Sequence, residues 1–256
     1  MILSRLNKFR RQNKIQLLTG MLSIILSINV SAQAYDSLGR RLSLTEMSVN
    51  YPTDKNFTGH NFIEIYDRLF APVRDTLERF FEIGILQGTS HLLWRDYFPK
   101  AKIFGIDIRD YSEISAGTGI ETYVADQSNR DELQGFINRH GSEFDVILDD
   151  GGHAMDHQQV SLGFLFQHVK PGGYFIIEDV HTSLPSYYPG EEFKVNMTMS
   201  NTTLFMIEWF MRTSQVRSEY MTPEEVQYLE ENIDTIELSF KTTHLHSMIC
   251  IIKKKG

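Results

Sequence analysis

Between Phe144 and Ser183 two apolar runs flank a mixed stretch, FDVILDDGGHAMDHQQVSLGFLFQHVKPGGYFIIEDVHTS. The runs are FDVILDD, Phe144–Asp150, and YFIIED, Tyr174–Asp179, and each closes on a pair of acids. Short continuous apolar runs bounded by turn residues read as buried strands. Met155 to Val169 reads as a helix, and Pro171-Gly172-Gly173 as the turn that follows it. A strand–helix–strand unit of this length makes a parallel crossover. Its two strands then lie side by side, about 4.8 Å apart. Asp149, Asp150, Glu178 and Asp179 therefore reach one sheet edge together. Carboxylates crowded at that spacing repel unless a cation or protons neutralise them. His153 follows Asp150 by three residues, in the loop above the same edge.

The alternation continues along the chain. Phe62 to Phe70 has helical periodicity, with Phe62, Ile65, Tyr66 and Leu69 on one face. Phe80 to Ile83 is a short strand, and Gly84 to Ser90 a glycine turn into a helix that runs to about Phe98. Glycines there let the backbone approach a ligand, and the helix start offers free N–H groups. The pattern is E-x-G-x-x-x-G-x-S, from Glu82 through Gly84 and Gly88 to Ser90, and it is not the dinucleotide G-x-G-x-x-G. Lys102 to Ile108 is a second strand, with Asp107 at its end placed to bind the hydroxyls of a ribose. Glu121 to Ala125 is a third, followed by Asp126 and Gln127, an acid and an amide suited to the amino edge of an adenine. Tyr35 to Asn50 is polar and weakly patterned, and Leu184 to Thr198 reads as a long loop. Thr202 to Arg212 is an apolar helix, and Thr222-Pro223-Glu224-Glu225 opens another with a capping box. Thr235 to Phe240 and Ser247 to Ile252 read as an antiparallel strand pair, and Lys253-Lys254-Lys255 as a solvated tail. His157, His168 and His181 read first as solvated or hydrogen-bonded loop residues, and Cys250 as core.

Three segments follow from this. Residues 1–34 carry Arg5, Lys8, Arg10, Arg11 and Lys14, then an apolar run from Leu17 to Val30 and the A-x-A site Ala32-Gln33-Ala34. That is a secretory-signal layout, and the run is short for a spanning helix. A cleaved signal, an uncleaved anchor and a cytoplasmic extension all stay open. Residues 35–78 form lead-in or lid helices, and 79–256 the ligand-binding domain. The net charge is −8; the first 34 residues hold five basic groups and no acid, so the remainder carries −13. A body that acidic disfavours nucleic acid. Membrane contact is confined to residues 1–34 if they are retained, and a homo-oligomer stays open.

The alternating β/α order, the E-x-G-x-x-x-G-x-S turn and the acids after the second and third strands resemble the class I S-adenosylmethionine methyltransferases, over about Phe80 to Ile252. The DDGGH and IEDVHTS pieces resemble the DDGSH and IEDLHTS motifs of the metal-dependent macrolide-sugar O-methyltransferases, and TDKN with EIYDRLFAPVRD resembles the segment leading into that domain. Gly152 is a departure, since the family usually has Ser there, and Leu184-Pro185-Ser186-Tyr187 differs from the usual run. The resemblance implies an α/β, Rossmann-like, doubly wound, seven-stranded, mostly parallel sheet with an antiparallel C-terminal strand. It implies that Asp150, Glu178 and Asp179 hold Mg2+ (or Mn2+) and that His153 is the general base. Glu82, Gly84, Gly88, Ser90, Asp107, Asp126 and Gln127 would hold S-adenosylmethionine, and Asp149 would shape that pocket.

The chemistry is consistent with those residue types. An oxygen-bound divalent cation acidifies and orients a hydroxyl, and carboxylates suit magnesium or manganese better than zinc. The expected reaction is O-methylation of a sugar or glycosylated small molecule. Rival readings are a catechol-like acceptor, a nicotinamide-dependent oxidoreductase on the same sheet, and a non-catalytic binding protein.

Overall fold

A computed structural model describes residues 34–184, 198–241 and 244–256. The signal-like layout and most of the loop expected after Leu184 lie outside those residues. Among the described residues no helix is long and apolar enough to cross a membrane. The chain divides into two compact units, Met1–Leu42 and Ser43–Gly256. In the first, Tyr35 and Arg41 form a β-bridge around a turn in which the Asp36 carboxylate accepts from the Leu38 and Arg40 N–H groups.

The second unit is built on seven strands: β1 (Arg79–Ile83), β2 (Lys102–Asp107), β3 (Ile120–Val124), β4 (Phe144–Asp149), β5 (Val169–Ile177), β6 (Ile233–Lys241) and β7 (His244–Lys254). They lie in the order β3-β2-β1-β4-β5-β7-β6. The first five are parallel, and β7 runs antiparallel to both β5 and β6. This is the expected architecture. β1 is flanked by β2 on one side and β4 on the other, so the strand order reverses between β1 and β4. In open α/β sheets ligands bind outside the carboxyl ends of the strands at that reversal.

Strand periodicity explains the core. Phe80 points to one face, packing on Trp94, Phe98 and Phe70; Phe81 points to the other, packing on Phe136 and Phe144. Both faces are covered, and both phenylalanines are fully buried. Continuous apolar runs in the sequence follow from that two-sided burial. Among the described residues the α-helices are α1 (Leu44–Ser48), α2 (Ile63–Phe70), α3 (Thr89–Tyr97), α4 (Ser112–Ser115), α5 (Arg130–His140), α6 (Met155–Leu165), α7 (Thr203–Thr213) and α8 (Pro223–Asn232). Thr202 caps α7 and Thr222 caps α8, the latter with the expected capping box to Glu225.

Two expectations need correction, and the weakly patterned stretch before Asn50 contains α1, held by a Ser43/Glu46 capping box and by Asp67 of α2, whose carboxylate accepts from the Leu44 and Thr45 N–H groups. The S-x-x-E signal was readable, but its helix is only five residues long. Pro171-Gly172-Gly173 lies inside β5, where the pairing jumps from Phe144↔Val169 to Val146↔Tyr174. Lys170 reaches back across this irregularity to Asp145 at 3.0 Å. The terminal lysines are not a solvated tail: Lys253 and Lys254 belong to β7. Lys254 is buried, and its ammonium donates to the carbonyls of Phe166, Gln167 and Val169.

His168 stands next to that ammonium and shares a 2.9 Å hydrogen bond with Ser142. Burial, then the Lys254 charge, lowers its pKa from 6.5 to about 4. Between those values the unfolded chain binds the extra proton and the folded chain does not. The group thus adds stability that is complete above pH 6.5 and is lost as pH falls toward 4. His168→Gln should flatten the fall in urea midpoint over that window relative to wild type, as read by denaturation at stepped pH.

Candidate active site

The carboxyl ends of β1, β2 and β4, the Asp126–Gln127 segment beyond β3 and the Pro52–Lys55 segment enclose a cavity of about 620 Å³. Gly84, Ser90, Asp107, Asp126, Gln127, Asp150 and His153 line it. Gly84 has φ 91°, and a Cβ there would lie 2.2 Å from the Asp150 carbonyl oxygen. Glycine is therefore required for β1 and β4 to turn past each other. Asp107 fixes the turn, since its carboxylate accepts from the N–H of Ile85 at 2.9 Å and of Arg109 at 3.0 Å. Asp126 is held by the Ser128 N–H and hydroxyl.

Three of the expected cofactor residues sit behind the wall and not in it. Glu82 is fully buried and accepts from Ser90 Oγ and from Trp94 Nε1 at 2.9 Å, with His91 Nδ1 at 3.3 Å. Gly88 caps α3 in the left-handed region. Asp149 is also fully buried; it accepts from Gln127 Nε2 at 2.9 Å, from the Gly151 N–H at 3.2 Å and from Ser161 Oγ. Gln127 in turn accepts from the Gly152 N–H at 2.6 Å. Asp149 thus acts on the cavity by anchoring Gln127 and the loop after β4. Burial raises its pKa, and the Ser161 and Gln127 hydrogen bonds oppose that rise.

The acids of β4 and β5 meet as the crossover requires. Ligand atoms of Asp150, His153 and Asp179 lie within 4.8 Å of one another. His153 Nε2 is 3.5 Å from Asp179 Oδ2 and 3.9 Å from Asp150 Oδ1. His153 and Asp179 both adopt positive φ, 52° and 56°, which non-glycine residues rarely do. Thr182 Oγ1 donates to the carbonyls of both, tying the two loops together. His60 and His181 each place Nδ1 3.6 Å from the other Asp179 oxygen. His181, read first as solvated or hydrogen-bonded, is buried at 5% exposure because the short 3-10 turn Val180–Ser183 folds it under Asp179. Burial and the Asp150 charge raise the Asp179 pKa, with His153 opposing them.

Glu178 lies deeper, 1% exposed, and Tyr66 of α2 donates to its Oε1. Its Oε2 accepts from Lys55 at 3.0 Å. Lys55 is itself 1% exposed, also donates to Asp150 Oδ2, and stands 3.4 Å from Glu82. Burial works against its charge, but Asp150, Glu178 and Glu82 outweigh it and hold the ammonium well above its ordinary pKa. Burial and Asp150 push Glu178 upward, and Lys55 opposes them. Lys55, Tyr66 and His60 are absent from the set read from sequence. Lys55 stands in TDKN and Tyr66 on the apolar face of FIEIYDRLF, so both were visible as pattern without a partner.

The carboxylate oxygens of Asp150, Asp179 and Glu178 fit a hard divalent cation, and the His153 imidazole stands beside two of them. Asp179 Oδ1 and His153 Nδ1 are buried with no hydrogen-bond partner among the described residues. Buried polar atoms left this way need an explanation, an ion among them.

No family model matches the chain. It is 37% identical over 158 residues to mycinamicin VI 2''-O-methyltransferase of Micromonospora griseorubida, covering 59% of this chain and 38% of that protein. It is 35% identical over 154 residues to L-olivosyl-oleandolide 3-O-methyltransferase of Streptomyces antibioticus, covering 57% and 39%. The solved structure of MycE methyltransferase from the mycinamycin biosynthetic pathway, in complex with Mg and SAH, superposes with a TM-score of 0.67 at 28% identity, over 84% of this chain and 55% of that one. The chain has the class I methyltransferase fold and resembles the macrolide-sugar O-methyltransferases. It spans about two fifths of the length of those curated relatives. In this methyltransferase fold the reversal between β1 and β4 carries the cavity, and the β4–β5 edge carries the acids.

Removing Asp149 takes the acceptor away from the buried Gln127 amide and Ser161 hydroxyl and from the Gly151 N–H. Asp149→Ala should cost about 3 kcal/mol in urea denaturation, because unsatisfied buried donors carry their desolvation penalty.

Proposed function

We propose that the protein is an S-adenosylmethionine-dependent O-methyltransferase that uses Mg2+ or Mn2+ to methylate a hydroxyl on a sugar of a glycosylated small molecule. The observation that carries this reading is a cavity of about 620 Å³ lined by Asp150 and His153, two members of the Asp150–His153–Asp179 cluster. The relatives' names support it: they are O-methyltransferases of mycinamicin VI and of L-olivosyl-oleandolide, and the solved relative was obtained with Mg and SAH.

Gly84 and Ser90 form the turn side of the cofactor pocket, Asp107 is its ribose acid, and Asp126 with Gln127 closes its adenine side. Glu82, Gly88 and Asp149 support those residues from beneath. Asp150 and Asp179 hold the cation, with Glu178 behind them completing the anionic pocket. When bound, the cation acidifies and orients the acceptor hydroxyl, and the cofactor brings a methyl already activated for transfer. His153 takes the hydroxyl proton at Nε2, which stands 3.5 Å from Asp179 Oδ2 and 3.9 Å from Asp150 Oδ1. A cofactor held by these residues would supply its methyl to the acceptor oxygen and would be left as the neutral thioether. The enclosing walls keep water from competing and hold the two reactants in line.

Calorimetric titration of the full chain with S-adenosylmethionine should show binding, and turnover on glycoside acceptors should require Mg2+ or Mn2+. His153→Ala should lower kcat by about 100-fold or more, while cofactor affinity changes by less than about threefold. Full turnover in that variant, or in chelator-treated wild type, would sink the mechanism.

A further inference from the structure

Lys55 is a buried cation for which the proposed reaction has no use. It belongs to the TDKN segment, far in sequence from the sheet, yet its ammonium meets a carboxylate from the end of each of three strands. It contacts Glu82 at β1 at 3.4 Å, Asp150 just past β4, and Glu178 just past β5 at 3.0 Å. Its contact to Asp150 is through Oδ2, whereas Oδ1 is the oxygen that faces His153. Both oxygens of Glu178 likewise have donors, Lys55 on one and Tyr66 on the other. A buried ammonium costs several kcal/mol of desolvation unless such partners surround it.

We propose that Lys55 is a positioning residue that holds Asp150 by Oδ2 and Glu178 by Oε2, so that a divalent cation meets Asp150 through Oδ1 alone and keeps coordination positions for the acceptor. The inference rests on the function proposed above. A carboxylate free at both oxygens can take a divalent cation through both. With the ammonium removed, Asp150 is free to do so, filling a position that the acceptor hydroxyl requires. The loss of one positive charge beside the acids also strengthens their hold on the ion. Lys55 therefore weakens cation binding and speeds turnover, and a residue that only supports the fold does neither.

The test uses the full-length protein and its variants Lys55→Met and Lys55→Gln. Mn2+ affinity is read by electron paramagnetic resonance, S-adenosylhomocysteine affinity by calorimetry, and kcat with Mg2+. In Lys55→Met, Mn2+ should bind about tenfold tighter or more, and kcat should fall about tenfold or more. S-adenosylhomocysteine affinity should stay near wild type. Lys55→Gln, which keeps a donor without the charge, should shift both quantities in the same directions by less. Unchanged or weaker Mn2+ binding in a folded variant overturns the role of Lys55 alone. Wild type that binds S-adenosylhomocysteine but no Mn2+ overturns the metal reading, and the role of Lys55 with it. Loss of fold in both variants, by circular dichroism, makes Lys55 structural and also overturns the proposal.

Discussion

The site depends on like charges forced together. The parallel crossover from β4 to β5 delivers Asp150, Glu178 and Asp179 to one edge, and β1 brings Glu82 up beside them. Two of these four carboxylates are essentially excluded from water. Buried anions at that spacing are tolerated only where cations and donors surround them. The chain meets the requirement with Lys55, with the Tyr66 hydroxyl, and with imidazoles on the Asp179 side. The Pro52–Lys55 segment and α2 are thus bound to the sheet by electrostatics as well as by the aromatic contact of Phe70 with Phe80 of β1, while Tyr66 and Phe70 also pack on Trp94 of α3.

That constraint also separates two kinds of acid at the same edge. Asp107 and Asp126 accept from backbone N–H groups and shape the rim, where solvent reaches them. Glu82 and Asp149 are spent inside, fixing Ser90 and Gln127. Asp150 and Asp179 alone combine partial access with an imidazole between them. Position along a strand does not distinguish these roles, because one residue toward the core exchanges a cavity wall for a buried face.

The sheet, its crossovers and the acidic edge were legible in the sequence because each rests on local periodicity and on acids closing strands. The parallel part of the sheet follows from the β/α alternation, and the antiparallel end from two late apolar runs. Lys55 and His60 were not legible as site residues, since their partners stand some 95 to 123 residues away and no local pattern encodes that contact. Lys254 was misread for a related reason: three lysines at a terminus look solvated, and the carbonyls that draw one of them in come from the 3-10 turn Phe166–His168 and the start of β5, some 85 residues away in sequence.

The loop between β4 and α6 shows how a single missing side chain reshapes such a site. At Gly152, the position where this chain departs from DDGSH, a Cβ would lie 2.1 Å from His157 Nδ1. The glycine and the histidine therefore belong together: His157 lines the cavity because nothing projects from residue 152. A serine at 152 needs that ring to move, exchanging an imidazole for a hydroxyl at the wall. Gly151 is constrained in the same way, since a Cβ there would lie 1.9 Å from Gln127 Oε1. The Asp150–His153 loop is thus held from below by Gln127, from the side by Thr182 and from above by His157 packing over a bare backbone. Those three restraints offset the cost of holding His153 at positive φ, with its Nε2 directed at the carboxylates.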